Sequence, residues 1–461
     1  MMTRLVWIVV VSLIISLPNS GCMHERPRTR GARKHPTHQA VKASLAEEVN
    51  GPSSCPSISG DGRYVAFDSE ASNLVPGDTN KVNDVFVHDR GTKKTFRISV
   101  DNNGKQMSEE SGFAAINGNG RFVAFEVRSG RSVTGEFNFG TDVFVSDLQI
   151  HKTTRASVTS DGHRADGIND LPSISADGRF VAFRSSSFNL APGLAWCQVF
   201  IHDRQTGQTT LLSRAYNGGT GDGTSFTTSI SATGRYVAFD SEALNIVRDH
   251  VAGYPGVYIY DRRAGETDWI KLGMDRVLLD SSSGEPSLSA NGRYVAFAYV
   301  PGPEDLTFSE NYRDNIVVYD RMTAKRTLAS GARNRKPGNG ESGCPAINAD
   351  GRYVAFASSS SNLVPGDTNR RRDVFVRDLW RHRTERVSVA SDGTQGSNDS
   401  GPEPEADFRG ISISSDGRYV AFASQASNLV PGDRNHCADI FVHDRKTGKT
   451  TRVSVPSRRP R

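Results

Sequence analysis

An eight-residue block recurs seven times along this 461-residue chain: GDGRYVAF, GNGRFVAF, ADGRFVAF, ATGRYVAF, ANGRYVAF, ADGRYVAF and SDGRYVAF. Its arginine falls at Arg63, Arg121, Arg179, Arg235, Arg293, Arg352 and Arg418, giving steps of 58, 58, 56, 58, 59 and 66 residues. A fixed period of this length marks a repeat architecture, in which each unit buries its apolar surface against the next. A second block follows each first one: DVFVHDR, DVFVSDL, QVFIHDR, GVYIYDR, NIVVYDR, DVFVRDL and DIFVHDR. Its acid is Asp89, Asp147, Asp203, Asp261, Asp320, Asp378 and Asp444. Seven such units account for residues 51–461.

Each unit reads as four short strands. The first is the apolar segment before the Asp-Gly, such as Pro56-Ser57-Ile58-Ser59. Asp-Gly or Asn-Gly then predicts a tight hairpin turn. RYVAF is the second strand and DVFVHD the third. A second turn, often Thr-Gly (Thr206-Gly207, Thr447-Gly448), leads to a fourth strand such as Thr95 to Val100 or Thr451 to Val455. In Tyr64-Val65-Ala66-Phe67 and Val85-Phe86-Val87 both faces are apolar, whereas a sheet with one wet face would alternate. No segment has a helical period that could cover such sheets. Sheets stacked on like sheets around an axis satisfy the pattern, so the expected fold is all-β, a seven-bladed β-propeller with four antiparallel strands per blade. An open solenoid is the alternative, and it would need unlike end caps.

The blocks SISxDGRYVAF and DVFVHDRxTGxTxRVSV resemble the TolB-type propeller repeat across all seven units. The resemblance implies a propeller used for binding, usually periplasmic or extracellular. It does not extend to TolB itself, because residues 23–50 are too short for the α/β domain that precedes the propeller there.

A residue present in every blade serves the blade, so the repeated Arg and Asp are read as structural: Asp61-Gly62 makes the turn and Asp89 caps a hairpin. Function in a propeller is expected where the repeats differ. Three units carry an insert, NLVPGDTNKVND, NLVPGDTNRRRD and NLVPGDRNHCAD. Each gives D-x-N-x-x-x-D: Asp78, Asn80, Asp84; Asp367, Asn369, Asp373; and Asp433, Asn435, Asp439. Oxygen ligands at positions 1 and 3 are similar to calcium loops. Position 5 is Val82, Arg371 or Cys437 and no Glu follows at position 12, so a Pro-Gly turn with Asx hydrogen bonds is the preferred reading. The 66-residue step holds the polar loop Ser391 to Gly410 with Asp392, Asp399, Glu403, Glu405 and Asp407, a candidate contact for a basic partner or cation. Antiparallel strand order puts Cys55 of blade 1 beside Cys437 of blade 7, a candidate disulfide across the seam, with Cys344 as a competitor for Cys437.

Catalytic motifs are sparse. G-x-S-x-G and H-E-x-x-H do not occur. His88, His202 and His443 belong to the repeated H-D-R. SADGRF (Ser175 to Phe180) has its glycine one place too early for the sialidase-type turn. Sugar cleavage by two channel-facing carboxylates stays open, with Asp170, Asp222 and Glu341 as loop acids of unassigned position.

At the N-terminus, Arg4 precedes the 13-residue apolar run Leu5 to Leu17. A membrane-spanning helix takes about 20 residues, so the run fits a signal peptide, residues 1–22. Asn19-Ser20-Gly21-Cys22 resembles the lipobox of bacterial lipoproteins at its last three positions and departs at Asn19, where Leu is usual. Cys22 is therefore a candidate lipid anchor, with an ordinary cleaved signal or an uncleaved anchor as alternatives. Residues 23–50 are a basic flexible linker. Residues 1–50 hold seven bases and three acids, so they carry most of the net charge of +5. The propeller is near neutral and no nucleic acid is implied. The expected function is an exported, non-enzymatic binding scaffold of the cell envelope. It would contact a protein or glycan, need no cofactor, and meet a membrane only through an N-terminal lipid. A carbohydrate-active propeller enzyme is the alternative.

Overall fold

The computed structural model describes residues 48–129, 140–248, 256–270, 277–278, 284–301, 314–332, 336–402 and 410–457. Cys22 and residues 23–47 of the linker lie outside the described residues; Glu48, Val49 and Asn50, expected to belong to the linker, instead pack on the propeller, with Val49 buried in the core between blades 1 and 7. Among these residues the chain folds as seven antiparallel sheets, each made from one continuous stretch of sequence. In blade 1 the strands are Ser53–Ile58, Tyr64–Ser69, Asp84–Asp89 and Lys94–Arg97, hydrogen-bonded in that order. The first strand of each blade packs on the first strands of its neighbours, including blade 7 on blade 1, and so lines the axis of a seven-bladed propeller.

The doubly apolar strands are explained by where their faces go. Val65, Phe67 and Phe86 pack with Ala421, Ile440 and Val442 of blade 7. Ala66, Val85 and Val87 pack with Val123 and Phe125 of blade 2. Alternate residues of one strand therefore serve two different cores. Each Phe of the YVAF block is fully buried, a contribution of about 2–3 kcal/mol apiece.

The turn before RYVAF differs from a two-residue hairpin. Gly62 N donates to Ser59 O at 2.8 Å, and Asp61 Oδ1 accepts from Ser59 Oγ and Arg63 N at 2.6 and 2.9 Å. Gly62 then sits at φ +74°, where the ring of Tyr419 from the preceding blade occupies the place of a Cβ. The same pairing repeats around the molecule, for example Gly120 on Tyr64 and Gly417 on Tyr353. The glycine is needed for its conformation and for the neighbour's ring.

The repeated charges are structural. Arg63 Nε and Nη2 donate to the two carboxylate oxygens of Asp89 at 2.9 and 2.8 Å. The equivalent pair forms in all seven blades. Asp89 Oδ1 also accepts from Gly91 N, capping the turn as expected. His88, His202 and His443 bond Thr95, Thr209 and Thr450 across the sheet, each at 2.9 Å.

Two strand boundaries differ from the sequence reading. The first strand starts at Ser53, three residues early, because a bulge at Cys55 absorbs the extra residue; Cys55 takes φ +48°. The fourth ends at Arg97. There Ser99 Oγ turns to Asp84 Oδ1 (2.5 Å) and the chain folds back through the Val100–Gln106 bridge.

Closure needs no strand exchange. At the end of the axis away from the second-to-third-strand loops, seven hydrogen bonds run from blade to blade in a circle. The links are Gly60 N to Gly118 O (2.8 Å), Asn117 Nδ2 to Ala176 O (2.9 Å), Ala176 N to Ala232 O and Ala232 N to Ala290 O (both 2.9 Å). Ala290 N to Ala349 O (3.0 Å), Ala349 N to Ser415 O (3.2 Å) and Ser415 N to Gly60 O (2.9 Å) complete it. At the rim, Thr95 Oγ1 of blade 1 donates to Val455 O at 3.1 Å, as Thr450 of blade 7 does to Val389 O of blade 6.

Candidate functional site

Next to the first repeated block, one position changes the sign of its charge. The residue after the block's phenylalanine is Asp68, Glu126, Arg184 and Asp240 in blades 1–4, but Ala298, Ala357 and Ala423 in blades 5–7. It stands near the end of each second strand, opposite the start of the axial first strand: Ser54 pairs with Asp68 and Asp170 with Arg184. These side chains therefore gather in the channel at the end that carries the second-to-third-strand loops. Asp170 and Glu285 join them from the first-strand segments of blades 3 and 5.

Bulge geometry positions several of these carboxylates. Phe113 and Leu171 occupy the bulge position of blades 2 and 3 at φ +51° and +50°. The amides there find their acceptors across the blade boundary: Phe113 N donates to Asp68 Oδ2 at 2.9 Å, and Leu171 N to Glu126 Oε2 at 3.3 Å. In blade 4, Asp240 Oδ1 accepts from Thr227 N and Thr227 Oγ1 at 2.9 and 2.7 Å. Asp170 is neutralised by Arg184 through two bonds of 2.8 and 2.6 Å. Arg128 approaches Glu126 at 3.5 Å from the solvent side.

Burial disfavours the charged forms. It pushes Glu126 up to about 8, aided by the negative charge of Asp170. Burial likewise pushes Glu285 up to about 8, against hydrogen bonding from Cys344, and raises Asp240. At neutral pH Glu126 and Glu285 are therefore held mainly protonated, beside the ion pair of Arg184 with Asp170. A cavity of about 220 Å³ opens between blades 4 and 7, lined by Thr227, Thr228, Glu285, Ser287, Cys344 and Gly410 among others. A second cleft of about 340 Å³ lies at the mouth between blades 6, 7 and 1, lined by Arg370, Arg371, Arg372, Glu341 and Asp399. Phe188 and Trp196, on the blade 3 loop that follows the strand of Arg184, are 68% and 43% exposed.

The D-x-N-x-x-x-D loops are corrected by a guanidinium. Arg97 Nη1 lies 3.4 Å from both Asp78 Oδ1 and Asp84 Oδ2. Arg386 Nη1 lies 3.1 and 3.2 Å from Asp367 and Asp373, and Arg452 Nη1 lies 3.2 and 3.0 Å from Asp433 and Asp439. Asn80, Asn369 and Asn435 turn their amide nitrogens toward the same acids at 3.1, 2.9 and 3.1 Å. A calcium loop would present their oxygens. The centre of each loop is thus taken by an arginine of the fourth strand. Among the described residues, no group of three or more His, Cys, Asp or Glu could hold a metal ion.

The seam cysteines do meet as segments: Ser53 N donates to Ala438 O at 2.8 Å. Cys55 is nevertheless a buried thiol outside any disulfide, so the Cys55–Cys437 pair is not formed. Of the polar loop acids, Asp399 Oδ1 accepts from Arg372 N at 2.8 Å and ties blade 7 to blade 6. Asp392 Oδ1 caps its own turn through Thr394 N at 2.9 Å. Glu403, Glu405 and Asp407 lie outside the described residues. Asp170 is in the channel, whereas Asp222 caps Leu244 N at 2.7 Å and Glu341 lines the outer cleft.

No protein-family model and no curated protein sequence matches this chain. Solved structures do. The β-propeller domain of the Trilobed protease from Pyrococcus furiosus aligns over 87% of this chain and 95% of its own, with TM-score 0.52 and 11% identity. Oligogalacturonate lyase from Vibrio parahaemolyticus aligns over 87% and 94%, with TM-score 0.50 and 11% identity. TolB from Acinetobacter baumannii aligns over 85% and 79%, with TM-score 0.40 and 12% identity. At these identities the likeness shows the propeller fold alone.

Proposed function

We propose that this protein is an exported, non-enzymatic scaffold of the cell envelope that takes a protein or glycan ligand at the loop end of its channel. The observation that carries this reading is the charged arc Asp68, Glu126, Asp170, Arg184, Asp240 and Glu285, set into otherwise repeating blades. The repeats agree wherever the blade needs them and diverge there. Five of the arc's carboxylate oxygens already accept from bulge amides or from Arg184, which suits a preformed recognition surface. Exposed Phe188 and Trp196 at the rim suit apolar or sugar-face contact. Export is supported by the run Leu5 to Leu17 and, for a lipid anchor, by Cys22.

A carbohydrate-active enzyme is the second reading, favoured by the convergence of carboxylates and by an oligogalacturonate lyase among proteins of this fold. Glycoside cleavage needs one acid and one free carboxylate flanking the bond, and Asp170 is held bidentate by Arg184. An assay of the secreted chain against an oligosaccharide panel separates the readings. Stoichiometric retention without new chain ends supports the scaffold; multiple turnover overturns it.

A further inference from the structure

We infer that the channel cavity receives the cationic end of an organic ligand, an ammonium or guanidinium group, between Glu285 and Asp240. The inference rests on the scaffold reading in taking this ligand to be bound rather than turned over.

Glu285 stands in the bulge position at φ +31°, a conformation that a non-glycine residue adopts only when its surroundings hold it there. Its Oε2 is shielded from solvent and has no hydrogen-bond partner, although buried polar atoms are almost always paired. Its chain neighbour Gly284 has the Asp240 carboxyl where a Cβ would be, so the two acids adjoin across the blade 4–5 boundary. Among the described residues, Arg184 is committed to Asp170, and Arg372, which faces Glu285, also lies against Gly343 of blade 6. Among the described residues, Glu285 is the charged side chain that lines the 220 Å³ cavity, and Asp240 adjoins it. Asp240 keeps one oxygen outside its bonds to Thr227, and Glu285 keeps Oε2.

The lining also selects the kind of cation. Among the described residues, no group of three or more His, Cys, Asp or Glu gathers here to hold a metal ion. Hydroxyls of Thr228 and Ser287 alternate with Pro286, Pro345, Ile347 and Ile413. Such a wall accepts an alkyl stem and leaves the charged head to the carboxyls. The volume suits one lysine- or arginine-sized side chain.

The groups facing Glu285 are Asp240, Cys344 and Arg372. With the free acid protonated up to about 8, a bound cation displaces a proton, so affinity rises with pH toward that value. The test is calorimetry of the full chain with agmatine, with N-butylacetamide as neutral control and calcium chloride as metal control. The expected result is saturable agmatine binding with proton release, tighter at pH 8 than at pH 6 and weakened at least tenfold in Glu285→Gln. No agmatine binding beyond that of the neutral control, or binding unchanged in Glu285→Gln, overturns the site. Should Glu285→Gln not fold, Asp240→Asn and the wild-type pH series carry the same test. Envelope partners captured equally by Glu285→Gln and wild type would sink the cation site and leave the scaffold. Oligosaccharide turnover by a chain that binds agmatine would do the reverse.

Discussion

Gly62 of the first blade lies beneath the ring of Tyr419 from the last, 357 positions along the sequence. The contact is one of seven equivalent ones and requires both a positive φ and an absent side chain. Gly62→Ala is expected to cost about 2–4 kcal/mol, combining backbone strain with overpacking. Gly77 has a similar φ of +78° and open space around it. Gly77→Ala should cost only about 1 kcal/mol. Urea unfolding of the two variants checks the difference, and equal losses would remove the neighbour's ring from the explanation.

The three inserts are closed by arginine, so calcium and chelators should leave the thermal midpoint of the wild type unchanged. Arg97→Met strands the buried carboxylates of Asp78 and Asp84. It is expected to lose about 3 kcal/mol, as for other buried pairs cut on one side. Thermal denaturation with calcium and with EDTA reads both effects.

The Arg63–Asp89 pair holds Asp89 far below the usual carboxylate range, chiefly through the Arg63 hydrogen bond. A depressed folded pKa contributes stability that is present above the unfolded value, about 3.9, and is lost as pH falls toward the folded one. Asp89→Asn should therefore be less stable than wild type at pH 7, and the gap should narrow below about pH 4. A constant gap from pH 7 to pH 2 would show that charge pairing is not the cause.

Glu126 has the opposite sign. Its folded pKa, about 8, lies above the unfolded value near 4.3. The folded state then binds the extra proton between these values, so this group's contribution declines as pH rises from about 4.5 to 8 and is constant beyond. Glu126→Gln should flatten the wild-type decline across that window, by at most about 1.4 kcal/mol per pH unit. Midpoints of denaturant unfolding at pH 5, 6, 7 and 8 measure it.

Blade number, strand order and the structural duty of the repeated Arg and Asp were legible because seven copies average out local accident. The doubly apolar YVAF strands named the architecture, since only sheets stacked on both sides bury Val65 and Ala66 together. The bulge at Cys55 was not legible: SSCPSI carries no glycine to mark it, and a one-residue insertion leaves the repeat period intact. Cys55 sits in that bulge as a buried thiol. The Pro-Gly turn preferred for the inserts was legible, but the arginines that close them, Arg97, Arg386 and Arg452, were not, because they sit on another strand, 19 residues downstream of the first Asp. The charged arc was readable in principle as the one substitution after each AF, Asp, Glu, Arg, Asp, then three Ala. It was obscured by longer and more conspicuous inserts. Glu285 gives no sequence signal, because it meets Asp240 only through the stacking of blades.

The claim that the charged loop end of the channel is the working face is tested most directly by retention of envelope extract on three immobilised chains. These are wild type, the channel double variant Asp240→Asn/Glu285→Gln, and Asp392→Asn, whose carboxylate only caps an exposed turn. The account predicts one set of partners on wild type and Asp392→Asn, and its loss from the double variant at unchanged thermal stability. The same set on all three chains would contradict it.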